Sequence, residues 1–163
     1  MVKFIILKQT LYIMKEEIII RKFKVEDKDQ LVQILKNNVP RYFAETEIDD
    51  YEEYINGKVQ DYYVALLNDE IIAAGGINYD KDRQLAKISW DIVDIPFQKQ
   101  GIGSLLLNHR LEVIATKKDI KSIIVRTSQH AFLFYEKMGF KLLERHKDYW
   151  AKGFDMYKMI YNN

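Results

Sequence analysis

Ile95-Pro96-Phe97-Gln98-Lys99-Gln100-Gly101-Ile102-Gly103-Ser104 is the stretch on which the fold turns. Upstream, Leu85 to Val93 reads as a β-strand. Downstream of Pro96 the period changes: Ile102, Leu105, Leu106 and Val113 repeat at helical spacing, and Leu107, Leu111 and Ile114 widen the apolar face. A strand therefore runs through a glycine-containing loop into a long helix. Gly101 and Gly103 let the backbone approach a ligand closely, and the unpaired amides of a helix start attract a phosphate; a pyrophosphate suits such a junction. By itself the pattern (Gln or Arg)-x-x-Gly-x-(Gly or Ala) is weak, and a plain strand-to-helix turn would produce it too. The third glycine of a dinucleotide fingerprint is missing, as is the Lys-Ser/Thr of a P-loop.

Working outward, Ile18 to Phe23 reads as a first strand, Asp27 as an N-cap with Gln30 three residues on, and Leu31, Ile34 and Leu35 as a helix face. A second helix is predicted from near Thr46 through Ile48, Tyr51 and Ile55, with Gly57 just past its end. Tyr62–Leu67 and Glu70–Ile77 pair about an Asn68-Asp69 turn, and Leu85–Val93 completes a meander. Ser122–Thr127 is a buried strand, Ala131–Met138 a short helix closed by Gly139, and Lys141–Arg145 with Phe154–Ile160 a last pair. The aromatic-rich run Tyr149 to Tyr157 reads as a loop entering the final strand, placed either to cover a cleft or to pack the edge. The order β, α, α, β, β, β, α, β, α, β, β predicts an α/β fold: a mixed, mostly antiparallel sheet with helices on both faces.

The 163 residues suit one compact domain, and 48% hydrophobic with 30% charged residues is an ordinary globular composition. No run approaches the roughly 20 apolar residues that span a bilayer. The 25 basic and 24 acidic residues nearly cancel, which argues against a general nucleic-acid binder. With no cysteine there is no disulfide, thiolate metal site or acyl-cysteine, which fits a reducing cytoplasm. His109, His130 and His146 lack ligand spacing, so no metal is expected. Lys3 and the short apolar run Phe4–Leu7 do not make a signal peptide. Met14 precedes Lys15-Glu16-Glu17 and the first convincing strand, so residues 1–13 read as an extension before a single domain over 14–163, or equally as an extra strand.

A second element decides the function class. Ser128-Gln129-His130-Ala131-Phe132-Leu133-Phe134-Tyr135-Glu136-Lys137-Met138-Gly139-Phe140 follows the next strand after one long helix. With Gln98 to Gly103 at that separation, the chain resembles the GNAT superfamily of acetyl-CoA-dependent N-acetyltransferases over about residues 17 to 160. The resemblance implies a GNAT acyl-CoA N-acyltransferase fold and direct transfer from acetyl-CoA to a primary amine in a ternary complex. It implies that Ile92, Val93, Gln98, Lys99, Gln100, Gly101, Ile102, Gly103, Ser104, Ser128 and Phe134 contact the coenzyme. Ser128 stands where the family usually has Asn, which changes the hydrogen bond available to the coenzyme arm. A backbone amide near Val93 would stabilise the oxyanion, and Tyr135 would protonate the departing thiolate. Phe132, Tyr135 and Met138 at helical spacing also fit plain core packing.

The proton acceptor is less defined. Asp91, before a presumed strand bulge, is a candidate catalytic base, although its strand position favours solvent; Glu45, Glu47 and bulk water are further candidates. Between 45 and 53 the acids Glu45, Glu47, Asp49, Asp50, Glu52 and Glu53 form either a solvated helix face or a lip for a cationic acceptor. In related sequences the first two helices line the acceptor site, which makes Arg41, Tyr42, Phe43 and Glu45 candidate acceptor contacts, with Arg41 suited to a carboxylate. The partners expected are acetyl-CoA and a small amine-bearing acceptor, with a homodimer left open and neither nucleic acid nor membrane involved. A non-catalytic acetyl-CoA-binding sensor or assembly module is the alternative reading.

Overall fold

The computed structural model describes residues 17–162, so the expectations for residues 1–13 lie outside the described residues. Among the described residues seven strands form one sheet: β1 (Ile19–Lys22), β2 (Asp61–Leu67), β3 (Glu70–Asp80), β4 (Leu85–Val93), β5 (Ser122–Thr127), β6 (Lys141–Ala151) and β7 (Phe154–Asn162), in the order β1-β2-β3-β4-β5-β7-β6. Every neighbouring pair is antiparallel except β4 with β5, which the helix between them makes parallel. The helices are α1 (Lys28–Asn38), α2 (Glu47–Glu53), α3 (Ile102–Ala115) and α4 (Phe132–Lys137). α1 and α2 cover one face of the sheet through Leu31, Ile34, Leu35 and Tyr51. On the other face α3 and α4 pack through Ile102, Leu106, Leu107, Ile114 and Tyr135. The mixed, mostly antiparallel sheet with helices on both faces is the architecture expected from the element order.

Two local motifs act as their residues dictate. Asn68 and Asp69 take φ of 51° and 65° in the β2–β3 turn, as a tight hairpin requires. Gly139 closes α4 at φ 95°; its N–H donates to the Glu136 carbonyl and that of Phe140 to the Tyr135 carbonyl, both at 3.0 Å, which is a Schellman cap.

Other expectations need correction. Asp27 does not cap α1: its carboxylate accepts the Lys24 N–H at 2.8 Å and a bidentate pair from Arg21 at 2.7 and 2.8 Å, so it locks the turn before the helix to β1. Gly57 is not a left-handed stop, because α2 instead widens into a π-turn over Tyr54–Lys58. Tyr149 to Tyr157 is no loop, since β6 extends to Ala151 and turns at Gly153, φ 85°, directly into β7. Asp155 holds that hairpin by accepting from Arg145 at 2.8 Å and from the Asp148 N–H at 3.0 Å.

The site depends on two irregularities of β4. Its pairing with β5 runs only from Leu85↔Ser122 to Ile88↔Val125, although both strands continue, so the sheet splits open beyond Ile88. On the β3 side, Ala74 pairs with Ile92 and Gly76 with Ser89, leaving Trp90 and Asp91 opposite Gly75 alone. This is a β-bulge, with Trp90 at φ 50°. The extra residue inverts the side-chain alternation. Ala86 and Ile88 face α3, yet beyond the bulge Ile92 and Trp90 face α1 and α2. Asp91 and Val93 are thereby turned to the α3 side. The Trp90 carbonyl, freed from the ladder, accepts the Tyr62 hydroxyl at 3.0 Å.

Candidate active site

A cleft of about 1380 Å³ opens where β4 and β5 diverge. One wall is backbone. Asp94 donates its N–H to the Ile72 carbonyl on β3, so by the alternation of a strand the Val93 N–H points the other way, towards the departed β5. Gly101 takes φ 81°, a conformation open to glycine, and delivers the chain into α3. The first i→i−4 bond of that helix is from the Leu105 N–H to the Gly101 carbonyl at 3.1 Å. The amides of Ile102, Gly103 and Ser104 precede it and have no intrahelical partner. Gly103 faces Phe134, which lies 3.5 Å from where a Cβ would stand. The residues present therefore fit a pyrophosphate with a narrow chain beyond it: free amides at a helix start, beside a cradle that a branched side chain would fill.

The loop residues divide by role. Gln98, Lys99, Gly101, Gly103, Ser104, Ser128 and Phe134 line the cleft, as does Val93. The Gln98 side chain is committed inward, donating to Asn38 Oδ1 at 2.8 Å and to the Val93 carbonyl at 3.0 Å, so it ties the loop to α1. Gln100 braces the turn through the Pro96 carbonyl at 2.7 Å. Ile92 and Ile102 are core side chains on opposite faces of the sheet and can offer only backbone. The Ser128 hydroxyl accepts the His130 N–H at 3.3 Å.

The opposite wall is built from side chains. Asp91 does not face solvent: the bulge swings it under the sheet against Arg110 of α3 and Tyr135 of α4. Tyr135, 3% exposed and packed between Phe134 and Phe140, donates its hydroxyl to Asp91 Oδ2. Arg110 Nη1 lies 2.5 Å from Asp91 Oδ1 but off its N–H axis, so the contact is an ion pair and Oδ1 lacks an aligned donor. Burial raises the Tyr135 hydroxyl well above the usual phenol range, the Asp91 charge adds to this, and Arg110 opposes it. Arg110 is 1% exposed; burial opposes its charge, but Asp91 outweighs burial and holds the guanidinium protonated.

Neither Arg110 nor Gly75 features in the sequence reading. The signal for Arg110 was the spacing Ile102, Leu106, Arg110, Ile114, which puts a cation in the apolar stripe of α3. Gly75 has no such signal: a Cβ there would stand 2.6 Å from Arg110 Nη1, a contact that exists only after the sheet and α3 have packed.

At the other end the cleft is lined by Tyr42, Phe43, Glu47, Trp90, His130 and Phe154. Tyr42 meets His130 edge-on at 5.9 Å, and His130 meets Phe154 at 6.1 Å. Among the expected acceptor contacts, Tyr42 and Phe43 reach the cleft, but Arg41 lies over the Tyr42 ring in solvent and Glu45 is exposed outside the lining. Glu47 takes the place of Glu45. It is partly buried, accepts the Ala44 N–H at 2.7 Å, and burial raises its carboxyl above the usual range.

Residues 25–162 match the sequence profile of the acetyltransferase (GNAT) domain, and the chain belongs to that family. It is 28% identical to an N-alpha-acetyltransferase of Sulfolobus acidocaldarius over 86% of this chain and 89% of that protein. The fold matches the ribosomal-protein-S18-alanine N-acetyltransferase of Escherichia coli at 15% identity, with a TM-score of 0.74 over 89% of this chain and 93% of that one. It likewise matches an aminoglycoside 6'-N-acetyltransferase solved with coenzyme A at 19% identity, with a TM-score of 0.70 over 88% and 96%. The protein is thus an acyltransferase of a family that uses acetyl-CoA.

Proposed function

We propose that this enzyme moves the acetyl group of acetyl-CoA directly to the α-amine at the N-terminus of a polypeptide, within a ternary complex. The observation that carries the reading is the pairing, across one split in the sheet, of free backbone amides on one wall with the Tyr135 hydroxyl on the other. The α-amine as acceptor is supported by the Sulfolobus relative, which aligns over most of both chains. Bound acetyl-CoA would supply an activated acyl group and a thiolate leaving group.

Gly101 to Ser104 would hold the pyrophosphate through backbone amides, and the Val93 N–H would donate to the thioester oxygen as it gains charge. The Tyr135 hydroxyl would turn from Asp91 Oδ2 to the leaving sulfur and give up its proton there, so that O–H breaks as S–H forms. Glu47, the carboxylate of the aromatic end, which among the described residues has no cation within salt-bridge distance, would take the proton lost by the amine. The products are then an acetamide and coenzyme A thiol; Glu47 returns its proton to solvent and the phenol takes one back, so no net proton is consumed.

The test is coenzyme A release from peptides with a free N-terminus, the same peptides with a blocked N-terminus, free amino acids and an aminoglycoside. Turnover confined to free N-termini is expected; turnover with the aminoglycoside alone would refute the acceptor. In the same assay Tyr135→Phe should lose ~10²- to 10⁴-fold in kcat while retaining acetyl-CoA affinity by calorimetry. Full activity would make Tyr135 a packing residue.

A further inference from the structure

Arg110 takes no part in the steps proposed above, yet it lies 1% exposed against the cleft. It sits between Leu106 and Ile114 on the buried stripe of α3, where an aliphatic side chain would pack at lower cost. Its Nε donates to the Leu106 carbonyl and its Nη1 to the Gly76 carbonyl, both at 3.2 Å, and Nη1 also meets Asp91 Oδ1. Asp91 reaches it only through the bulge in β4, and only because Gly75 carries no Cβ. The remaining carboxylate oxygen, Oδ2, accepts the Tyr135 hydroxyl. An irregular strand, a glycine and a buried cation from three elements thus converge on the Tyr135 hydroxyl. Stability alone does not account for them, since a buried ion pair is commonly no better than well-packed apolar residues of the same volume.

We propose that Arg110 and Asp91 form a positioning pair for Tyr135: Asp91 Oδ2 anchors the phenol oxygen at the cleft until the hydroxyl turns to the sulfur, while Arg110 fixes Asp91 and offsets part of its charge. The inference rests on Tyr135 being the proton donor. A phenolate left beside a lone, partly buried carboxylate would be strongly repelled, and Arg110 against that carboxylate offsets part of the repulsion as Tyr135 gives up its proton. Asp91 gains no proton in this step and does not act as the amine's base, a role for which it was one candidate beside Glu45, Glu47 and water.

The experiment is a double-mutant cycle in the full chain, with kcat and the KM for acetyl-CoA measured separately. Asp91→Asn should lower kcat by about 10- to 100-fold and change KM by less than about threefold. Added to Tyr135→Phe, it should change kcat by less than about twofold, because the hydroxyl it anchors is gone. Arg110→Met alone strands a partly buried carboxylate and is expected to fold poorly. Arg110→Met with Asp91→Asn removes both charges, and should fold and turn over at the Asp91→Asn rate. An undiminished effect of Asp91→Asn in the Tyr135→Phe background would overturn the pair while leaving Tyr135 as donor. Wild-type kcat in the neutral double variant would overturn it as well. Full activity of Tyr135→Phe would remove both the donor role and this inference.

Discussion

The two walls of the cleft are made in different ways. The wall from Gln98 to Ser104 is contiguous chain whose function lies in backbone amides and in two glycines. The wall opposite is assembled from Asp91, Arg110 and Tyr135, with Gly75 behind them, and these meet only when β3, β4, α3 and α4 are packed. A loop that offers amides survives most changes to its other side chains, whereas a buried charged cluster depends on every atom around it.

The sharpest way to break the comparison is Gly75→Val. A Cβ at 75 overlaps Asp91 and stands 2.6 Å from Arg110 Nη1, so the ion pair must separate or the strand must shift. Separating a buried pair costs about 3 to 5 kcal/mol, and urea unfolding should register a loss of that order together with loss of activity. Unchanged stability would mean that the side-chain wall is soft.

The backbone wall should fail more gently. A Cβ on Gly103 makes ordinary contact with Phe134 at 3.5 Å, so Gly103→Ala should be nearly neutral. Gly103→Val adds methyl groups that intrude on the cradle, and should weaken acetyl-CoA binding by ~10-fold, or about 1.4 kcal/mol, with the fold intact. Calorimetry separates the two, and equal affinities in both variants would show that the coenzyme does not pass this glycine.

The smallest effect belongs outside the cleft, at the pair of Asp27 with Arg21. The Arg21 hydrogen bond holds the Asp27 carboxyl below its usual range, against the opposing pull of burial. Because the folded value lies below the unfolded one, this stabilisation is complete above the unfolded value of ~3.9 and is lost as the pH falls through the folded value. Arg21 is 29% exposed, so solvent screens part of it. The stability gap between wild type and Asp27→Asn should be widest at neutral pH and narrow below about pH 4; a gap independent of pH would show that packing, not charge, holds the turn.

These contrasts explain what was legible. The Asn68-Asp69 turn, the Gly139 cap and the Gly101 entry into α3 are properties of a few consecutive residues, and each could be read from its residue types. The extent of β6 was not legible, because its far half is held by Asp155 on β7 rather than by its own apolar pattern. The acceptor end mixed the two cases. Tyr42 and Phe43 lie on the cleft, but whether Glu45 or Glu47 enters it depended on where the α2 helix begins.

The sequence by itself determined the order of the elements, the strand-to-helix junction at Pro96 to Ser104 and the short helix of Tyr135, because hydrophobic period, glycine conformation and helix capping are all local. Only the tertiary structure decided which way Asp91 faces. Strict alternation would place it with Lys87 and Ser89, away from α3; a single extra residue opposite Gly75 reverses that assignment. A bulge adds one residue to one strand and none to its partner, so it exists only as a relation between two strands, and no pattern within β4 alone announces it.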